Sequence, residues 1–324
     1  MNPIIFDVSP SPDFNFVTSF AQHFNIEAQP HFLEFPPELG RGFIRRICFG
    51  DGLVMLVHHY QLKYPFLLRR LSSEDYSDNF IFRFCDHAVP QRNRLSIVQT
   101  LASNISTEDL FPKETAIHYI IIGIKKPVLL SMLDVAENHE LDFFFKNLHG
   151  PFLYQESMTA EMKRILDTIV QKANSTHIFE NLFYKTKLKE LMYLYFVKLF
   201  ERPAQDFTAF SKREIESALF IEQNILNHLE TPPKLPVLSK QVGISSTKMK
   251  RLFKQIFGQS IYQYYQIARM NKAAHLLKND PTLSVSEVGY RLGFSNLSHF
   301  SRLFASHIGI KPKAYAKQMK TPAN

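Results

Sequence analysis

A short stretch near residue 250 carries side chains suited to reading DNA. Its Lys and Arg residues recur between apolar residues that follow helical spacing, so the two sets fall on opposite faces of one helix. Lysine binds phosphate as a point charge, whereas arginine can donate two hydrogen bonds to a guanine edge. We therefore expect a helix that buries one face and offers the other to a major groove. We call a helix of this kind a reading helix. The apolar set is Met249, Leu252, Phe253 and Ile256, and the polar set is Thr247, Lys250, Arg251 and Lys254.

A second stretch, about fifty residues later, repeats this pattern with less charge. Arg251 and its counterpart Arg302 could each pair with a carboxylate of the same chain. However, 15 Lys and Arg residues but only 2 Asp and Glu residues follow residue 230, so partners for such pairs are scarce. An external polyanion is therefore a better candidate partner for these two arginines than a carboxylate of the same chain. The second apolar set is Phe300, Leu303 and Phe304, and the second polar set is Ser298, Ser301 and Arg302.

Both stretches follow small residues at the positions where a helix-turn-helix requires them. Ser239 and Gly289 stand where two helices would cross closely. Gly243 and Gly293 stand in the turns, where a residue without Cβ strain is needed, and Ser245 can cap the first reading helix. The chain is therefore predicted to contain the same helix-turn-helix scaffold twice.

The segment between the two copies, residues 260–277, has the spacing of one long helix. Its 18 residues, at ~1.5 Å each, span roughly 27 Å, which is comparable to the ~34 Å between successive major grooves on one face of DNA. One chain could therefore place two reading helices in adjacent groove segments.

The ordered motifs of residues 211–318 resemble the AraC/XylS family of bacterial transcription regulators. The resemblance implies two helix-turn-helix subdomains joined by a long helix, with double-stranded DNA and RNA polymerase as partners. The most specific segments are 269–277, 289–296 and 300–304, followed by Gly309, Pro312 and Tyr315.

The same resemblance places six residues where members of the family approach bases. With the neighbouring polar residues, the predicted DNA-binding set is Ser246, Thr247, Lys248, Lys250, Arg251, Lys254, Leu297, Ser298, Ser301 and Arg302, of which Thr247, Lys250, Arg251, Leu297, Ser298 and Arg302 are the six. The sequence departs from the family at Ser239 and Gly289, where alanine is usual, and at Leu297 and Ala305, where polar residues are usual. The second copy is therefore expected to rely more on shape, phosphate or thymine-methyl contacts.

Charge is distributed unevenly along the chain. Residues 211–324 contain 17 Lys and Arg against 6 Asp and Glu, whereas residues 1–210 contain 21 against 24. This asymmetry indicates a polyanion-binding end and a separate sensing or assembly end. Cys48 and Cys85 are too few for a disulfide framework and lack metal-ligand spacing. With no signal-peptide pattern and no apolar run of the ~18 residues that a membrane span requires, a cytoplasmic location away from membranes is expected.

The first part of the chain is predicted to be rich in strands up to about residue 135. Phe80, Phe82 and Phe84 alternate with other residues, which gives one aromatic face to a strand. The sequence 50–52, Gly-Asp-Gly, favours a tight hairpin turn, and the apolar runs 119–122 and 128–130 predict further buried strands. An antiparallel, cupin-like sandwich or barrel is the expected result.

Two amphipathic helices are predicted at 159–173 and 178–200, within a helical region of 157–200. They could cover the sheet or form a homodimer surface. The segment 201–210 is expected to be a linker, followed by a capping box at Ser211 and Glu214. The fold class is therefore α+β, with a sensing and dimerisation domain at 1–205 and an all-α, tandem helix-turn-helix domain at 206–324.

The first part is also similar to the sensing domain of the family, and residues 184–191 resemble siderophore-responsive members. This implies control by a small-molecule or protein effector whose identity the sequence does not give. We hypothesise that the phenylalanine-rich sheet holds a small molecule or contacts the DNA-binding domain. The alternative is that these phenylalanines form an ordinary core.

Catalysis, a cofactor and a metal site are not expected. His58 and His59 are adjacent on a predicted strand, so they point to opposite faces and cannot chelate as a His-x-His pair does. His87 and His118 are isolated in the sequence, and no catalytic triad, phosphate loop or nucleophilic cysteine is evident. A nonspecific architectural DNA-binding protein is one alternative, and an enzyme domain fused to a DNA-binding module is another. Salt and sequence dependence of DNA binding would separate the first of these from a regulator.

Overall fold

The alternating residues around Phe82 form one strand of a large sheet in the first half of the chain. The computed structural model describes residues 2–9, 15–50, 52–72, 79–86, 96–135, 138–148, 150–174, 178–203, 207–280 and 282–320. The strands in this part of the chain are β1 (Ile4–Val8), β2 (Phe32–Glu34), β3 (Gly40–Cys48), β4 (Leu53–Leu62), β5 (Phe66–Arg70), β6 (Asn79–Cys85), β7 (Ile97–Ala102), β8 (Thr107–Phe111), β9 (Ala116–Lys125) and β10 (Leu153–Ser157).

These strands form two sheets. The larger sheet has the order β10-β7-β6-β9-β4-β3-β2, and its neighbours all pair antiparallel. The smaller sheet has the order β1-β5-β8, in which β1 and β5 are parallel. The predicted hairpin joins β3 to β4, with Gly50 and Gly52 at φ values of 104° and 92° that favour glycine. Asp51 lies outside the described residues.

The helices occupy a few positions between the strands and nearly all of the second half of the chain. They are α1 (Phe16–Phe24), α2 (Lys126–Met132), α3 (His139–Asn147), α4 (Ala160–Lys172), α5 (Glu180–Leu199), α6 (Lys212–Asn227), α7 (Leu235–Val242), α8 (Ser246–Phe257), α9 (Ile261–Asn279), α10 (Val285–Arg291), α11 (Leu297–Ile308) and α12 (Pro312–Lys320). The α+β prediction is confirmed, with strands in the first half and helices in the second. The finer expectation of a cupin-like sandwich or barrel stays a prediction.

One predicted strand is wrong. Residues 128–130 belong to helix α2, whose first turn contains Pro127. Proline stabilises the start of a helix because its fixed φ is already helical and its missing N–H is not needed there. A three-residue apolar run has no periodicity of its own that separates a strand from a helix. Helices α1 and α3 were not predicted.

The two faces of the large sheet pack against different elements. On one face, residues of both sheets share a core with α1, and this core includes Phe20, Phe66 and Tyr60. On the other face, the Phe82 ring lies 5.6 Å from that of Tyr195 in α5. Arg45 of β3 also bonds to Glu180 of α5 at 2.7 Å, which fixes the helix to the sheet. Helices α4 and α5 therefore match the predicted pair, and α5 packs on the sheet.

The described chain divides into two units, of which the first ends at Ile215 and the second begins at Glu216. The predicted division at residue 205 falls ten residues earlier. Phe207 and Phe210 cause the difference, because both are buried against aromatic residues of the first unit, including Tyr154. The Tyr154 hydroxyl also donates to the Thr208 carbonyl at 2.6 Å. The end of the expected linker is thus part of the first unit.

In the second unit, α7 with α8 and α10 with α11 form two consecutive helix pairs, and α9 follows the first pair and precedes the second. Helix α9 packs against α8, α10, α11 and α12. Capping serines start several of these helices. Ser260 and Glu287 take part in capping boxes at the starts of α9 and α10. No helix in the described residues is long and apolar enough to cross a bilayer.

Candidate nucleic-acid interface

Helix α8 is the first of the two predicted reading helices. The Ser245 side chain caps it by accepting a hydrogen bond from the Lys248 N–H at 3.2 Å, as predicted from the sequence. Its apolar face is buried as predicted, because the chain places apolar residues at helical spacing. The buried residues are Met249, Leu252, Phe253 and Ile256.

The polar face of α8 carries a continuous set of exposed side chains. Arg251 forms no ion pair with a carboxylate among the described residues, and neither does its counterpart Arg302 in α11. The sequence left open that these arginines pair with carboxylates of the same chain. No such pair is present among the described residues. The exposed α8 residues are Thr247, Lys248, Lys250, Arg251 and Lys254.

Ser246 differs from the other predicted contact residues of α8. It is half-buried, and its hydroxyl donates to the Ser239 hydroxyl of α7 at 3.1 Å. The Ser239 hydroxyl in turn donates to the Pro236 carbonyl at 3.1 Å. This chain of hydrogen bonds lies where α7 and α8 cross. It gives the hydroxyl of Ser239, which stands where alanine was expected, a structural role that the sequence reading missed.

Helix α11 is the second predicted reading helix and presents less charge. Asn296 caps its start by accepting from the His299 N–H at 3.0 Å, a cap that was not predicted. Phe300 and Phe304 are buried as predicted, but Leu303 is only half-buried. Of the predicted contact residues, Ser298 and Arg302 are exposed, whereas Leu297 and Ser301 are half-buried.

Leu297 fills the space that a glycine leaves on the facing helix. A Cβ atom added to Gly289 of α10 would lie 2.7 Å from Leu297 Cδ2 and 3.2 Å from Phe300 Cδ1. The two departures from the family pattern are therefore coupled, since the smaller residue at 289 makes room for the apolar residue at 297. Part of the Leu297 side chain packs against α10. Only the exposed part is available to contact a DNA groove.

The turn between α10 and α11 is held by a buried arginine. Arg269 of α9 donates to the Leu292 carbonyl from Nη2 at 2.6 Å and from Nε at 3.1 Å. Its guanidinium carbon also lies 3.7 Å from the centre of the Phe294 ring and 4.9 Å from that of Tyr265. Burial lowers the pKa of Arg269, and the two neighbouring tyrosines partly oppose this. The sequence reading used Arg269 only as part of a motif and missed this role.

The first unit contains a cavity that is a second candidate site. It has a volume of about 600 Å³ and is lined by residues of both sheets. Ile81 and Arg83 of β6 face it, whereas Phe82 packs against α5 on the other side of the same strand. On β6 itself, Phe82 is ordinary core, and the intervening residues Ile81 and Arg83 line the cavity. The hypothesis that the phenylalanine-rich sheet holds a small molecule or contacts the DNA-binding domain stays a prediction.

The histidines of the large sheet are arranged differently from the sequence reading. His58 is buried and stacks on Tyr119 with ring centres 4.1 Å apart, whereas His59 is half-buried. His118 is not isolated, because its Nδ1 lies 2.9 Å from Nδ1 of His59 on the neighbouring strand. Strand pairing of His59 with His118 causes this contact, and such pairing cannot be read from sequence spacing. His87 lies outside the described residues, which contain no group of three or more His, Cys, Asp or Glu side chains able to hold a metal ion.

Comparison with known proteins supports the assignment of the second unit. A family model described as a helix-turn-helix domain matches residues 238–318. The multiple antibiotic resistance protein MarA of Escherichia coli is 32% identical over 93 residues, which are 28% of this chain and 71% of MarA. The transcriptional regulator YfiF of Bacillus subtilis, itself described as uncharacterized, is 33% identical over 100 residues, or 31% of each chain.

A solved structure from Chromobacterium violaceum, described as a transcriptional regulator of the AraC-type DNA-binding domain-containing proteins, is 30% identical to this chain. The match covers 34% of this chain and 95% of that one, with a TM-score of 0.30. The chain spans about a third of the length of YfiF and of the activator RhaR of Cronobacter sakazakii, which it also matches. Since it covers more than two thirds of MarA at 32% identity, the chain belongs to the AraC family of transcription regulators, and its second unit carries the helix-turn-helix DNA-binding domain.

Proposed function

We propose that the chain is a sequence-specific regulator that binds double-stranded DNA mainly through α8. The observation that carries this proposal is the exposed basic face of α8, on which the Arg251 guanidinium has no internal carboxylate partner among the described residues. A guanidinium in this position suits bidentate recognition of guanine. The neighbouring lysines suit phosphate contacts, which add affinity without sequence preference.

We assign different roles to the members of the predicted DNA-binding set. Thr247, Lys250 and Arg251 approach bases from α8, and Ser298 and Arg302 do so from α11. Lys248 and Lys254 contact phosphates. The half-buried Ser246, Leu297 and Ser301 contribute mainly by shape, which agrees with their packing.

The two reading helices are proposed to enter adjacent major-groove segments. Helix α9, which lies between the pairs in sequence, has 19 residues. At ~1.5 Å per residue it is roughly 28 Å long, and adjacent groove segments on one face of DNA lie ~34 Å apart. RNA polymerase is the protein partner that the family resemblance implies for a regulator bound in this way.

The first unit is proposed to control DNA binding, as a cupin-like effector domain and as a dimerisation surface. The cavity supports an effector site, because its volume of about 600 Å³ falls within the ~300–1,000 Å³ typical of small-molecule sites. The outer face of α5 supports self-association through the helix pair, because it exposes Leu182, Tyr193 and Val197. Dimerisation would place two DNA-binding units on one operator.

The proposal is tested by comparing Arg251→Ala with Lys254→Ala on a selected DNA site. Arg251→Ala is expected to weaken the specific site by ~1–3 kcal/mol and to relax the preference at one base pair. Lys254→Ala is expected to weaken all sequences alike and to make the salt dependence of binding less steep. Selection from random DNA, followed by titrations at several salt concentrations, measures both effects.

Lys113→Ala is the matched control, since it removes one positive charge from an exposed position of the first unit that lies outside the cavity and outside the proposed dimer surface. It should leave both the preferred sequence and the salt slope unchanged. Equal loss on every sequence would make Arg251 a phosphate contact. Uniform affinity of the unmodified protein for unrelated DNA would favour the architectural alternative.

A further inference from the structure

The cavity of the first unit has a mixed lining that points to a particular class of ligand. Most of its wall is aliphatic or aromatic, with Leu56, Leu68, Ile81 and Ile121 among the lining residues and Phe16 from α1. Such a wall favours an apolar body, since each buried square ångström of apolar surface contributes ~25 cal/mol. A wholly apolar ligand, however, would leave the charged part of the lining without a partner.

The charged part of the lining is strongly positive among the described residues. Arg46, Arg70, Arg83 and Lys125 line the cavity, against the single carboxylate of Asp109. Arg83 and Asp109 form a buried ion pair with each other. Burial disfavours the charged form of Arg83, but Asp109, Cys85 and Tyr119 together outweigh this effect, so the pKa of Arg83 lies above its ordinary value. Asp109 is therefore engaged by Arg83, and none of the other three cations forms an ion pair with a carboxylate among the described residues.

Among the cations that line the cavity, Arg70 is the one whose burial is least offset by an ion pair with a described carboxylate. Its guanidinium donates to the backbone carbonyls of Ser103, at 2.8 Å, and Ile105, and no carboxylate among the described residues forms an ion pair with it. Burial and the nearby Arg83 lower the pKa of Arg70 to about 9, which still leaves it charged at neutral pH. A buried charge bonded only to neutral acceptors is costly, and an anion beside it would offset that cost.

The next residue on the same strand provides an internal comparison. Arg69 points to the opposite side of β5 and donates to both carboxylate oxygens of Asp7, at 2.7 and 2.8 Å. Among the described residues, an acidic partner is thus present for the half-buried Arg69 but not for Arg70, whose contacts are more buried. Folding stability alone would favour an acidic partner for the more buried arginine. The observed arrangement is the opposite, and it is typical of a charged side chain that binds a ligand.

We propose that the cavity binds a small organic anion with an apolar body, whose anionic group lies beside Arg70 and whose body packs on the aliphatic wall. Lys125 and Arg46 provide further positive potential around the charged end. Gly52 makes room for Lys125, because a Cβ at Gly52 would lie 2.7 Å from Lys125 Cδ. This inference rests on the proposed role of the first unit as an effector domain, and it names the chemical class of that effector.

The test uses two fluorescent probes of similar shape on the full chain without DNA. Anilinonaphthalenesulfonate is an organic anion with an apolar body, and phenylnaphthylamine is the same skeleton without the sulfonate. The anionic probe is expected to bind with one-to-one stoichiometry and about tenfold more tightly than the neutral one, as a charge-assisted hydrogen bond would provide. Cinnamate should displace it, whereas cinnamyl alcohol should not.

Arg70→Gln is expected to remove the preference for the anionic probe while leaving binding of the neutral probe unchanged. Arg69→Gln, the matched control, should behave as the unmodified protein, and Arg70→Lys should retain most of the preference because it keeps the charge. Circular dichroism checks that each variant is folded. If Arg70→Gln does not fold, the competition between cinnamate and cinnamyl alcohol on the unmodified protein still decides the question.

Equal affinity for both probes would overturn the proposal, as would an unchanged anion preference in Arg70→Gln or its loss in Arg69→Gln. DNA footprinting with and without cinnamate is a separate measurement. Anion binding that leaves the footprint unchanged would support the site while contradicting the effector role. Absence of a specific footprint both with and without cinnamate would contradict the regulator assignment without affecting the probe result.

Discussion

Strands β4 and β9 bring two half-buried histidines, His59 and His118, into contact. His59 and His118 face each other through their Nδ1 atoms at 2.9 Å, so only one of the two atoms can carry the shared proton. Burial lowers the pKa of both imidazoles, and His118 lowers that of His59 further. Asp86 and Asp167 raise the pKa of His118 but do not reverse its shift. The folded pair therefore favours the neutral state.

This arrangement predicts that the first unit loses stability in mild acid. In the unfolded chain, histidine takes up a proton near pH 6.5, whereas the folded pair does so only at lower pH. Between these values the unfolded state binds more protons, so the free energy of unfolding falls as pH decreases below about 6.5. The slope cannot exceed about 1.4 kcal/mol per pH unit for each proton. Hydrogen exchange of β4 and β9 in urea at pH 8 and pH 5.5 measures the effect.

His118→Gln is the informative variant for this pair, because glutamine preserves a hydrogen-bonding side chain but does not titrate. We expect it to flatten the pH dependence of exchange in these two strands. A slope identical to that of the unmodified protein would assign the acid sensitivity to other groups.

At the scale of elements, the turn between α10 and α11 is constrained at Gly293 by both its backbone conformation and its surroundings. Gly293 has a φ of 76°, and a Cβ there would lie 1.9 Å from the Glu230 carbonyl oxygen. Gly309 ends α11 with a φ of 90° but has open space around it. Both glycines have a left-handed φ, but their surroundings differ.

These glycines predict unequal effects of the same substitution. Gly309→Ala is expected to cost about 1–2 kcal/mol, the usual cost of a left-handed alanine. Gly293→Ala is expected to cost about 2–5 kcal/mol, since steric overlap of ~1–3 kcal/mol is added to the backbone term. Urea unfolding of the second unit, followed by hydrogen exchange of α10 and α11, gives both values. Equal costs would show that the Glu230 carbonyl moves away without penalty.

Periodicity made the reading helices predictable, whereas contacts between elements did not follow from the sequence. The buried face of α8 follows from apolar spacing alone, and so does its exposed basic face. The role of Arg269 required knowing that α9 passes beside the turn at Leu292. In the same way, His118 meets His59 only because β9 pairs with β4 in one register. Such pairings depend on tertiary structure, which a single sequence does not encode in its local pattern.

The alternation along β6 was correctly recognised, but the partner of each face was not predicted. Phe82 packs on α5, and the intervening Arg83 lines the cavity. A period of two identifies two faces without saying which one meets helices. Phe207 presents a similar case, because its burial against the first unit depends on a partner distant in sequence.

Across the whole molecule, the excess of positive charge and the cavity lie in different units. The basic residues that follow residue 230 belong to the DNA-binding unit, whereas the cavity belongs to the first unit. The described lining of the cavity and the predicted DNA-binding set share no residue, so a substitution can alter either one alone. The net charge of +8 arises largely from the second unit, so long-range attraction to DNA is a property of that unit.

The cysteine content of the chain provides a natural chemical reporter of the cavity. Of the two cysteines, Cys48 is exposed and lines the cavity, whereas Cys85 is buried. A maleimide should therefore label the unmodified protein at one position, and the labelling rate should fall when cinnamate occupies the cavity. Mass spectrometry after timed labelling measures this rate, and Cys48→Ser should abolish it. An unchanged rate at saturating cinnamate would contradict occupancy. Because no engineered residue is required, the same assay can report anion binding to the cavity in the unmodified protein, with or without DNA.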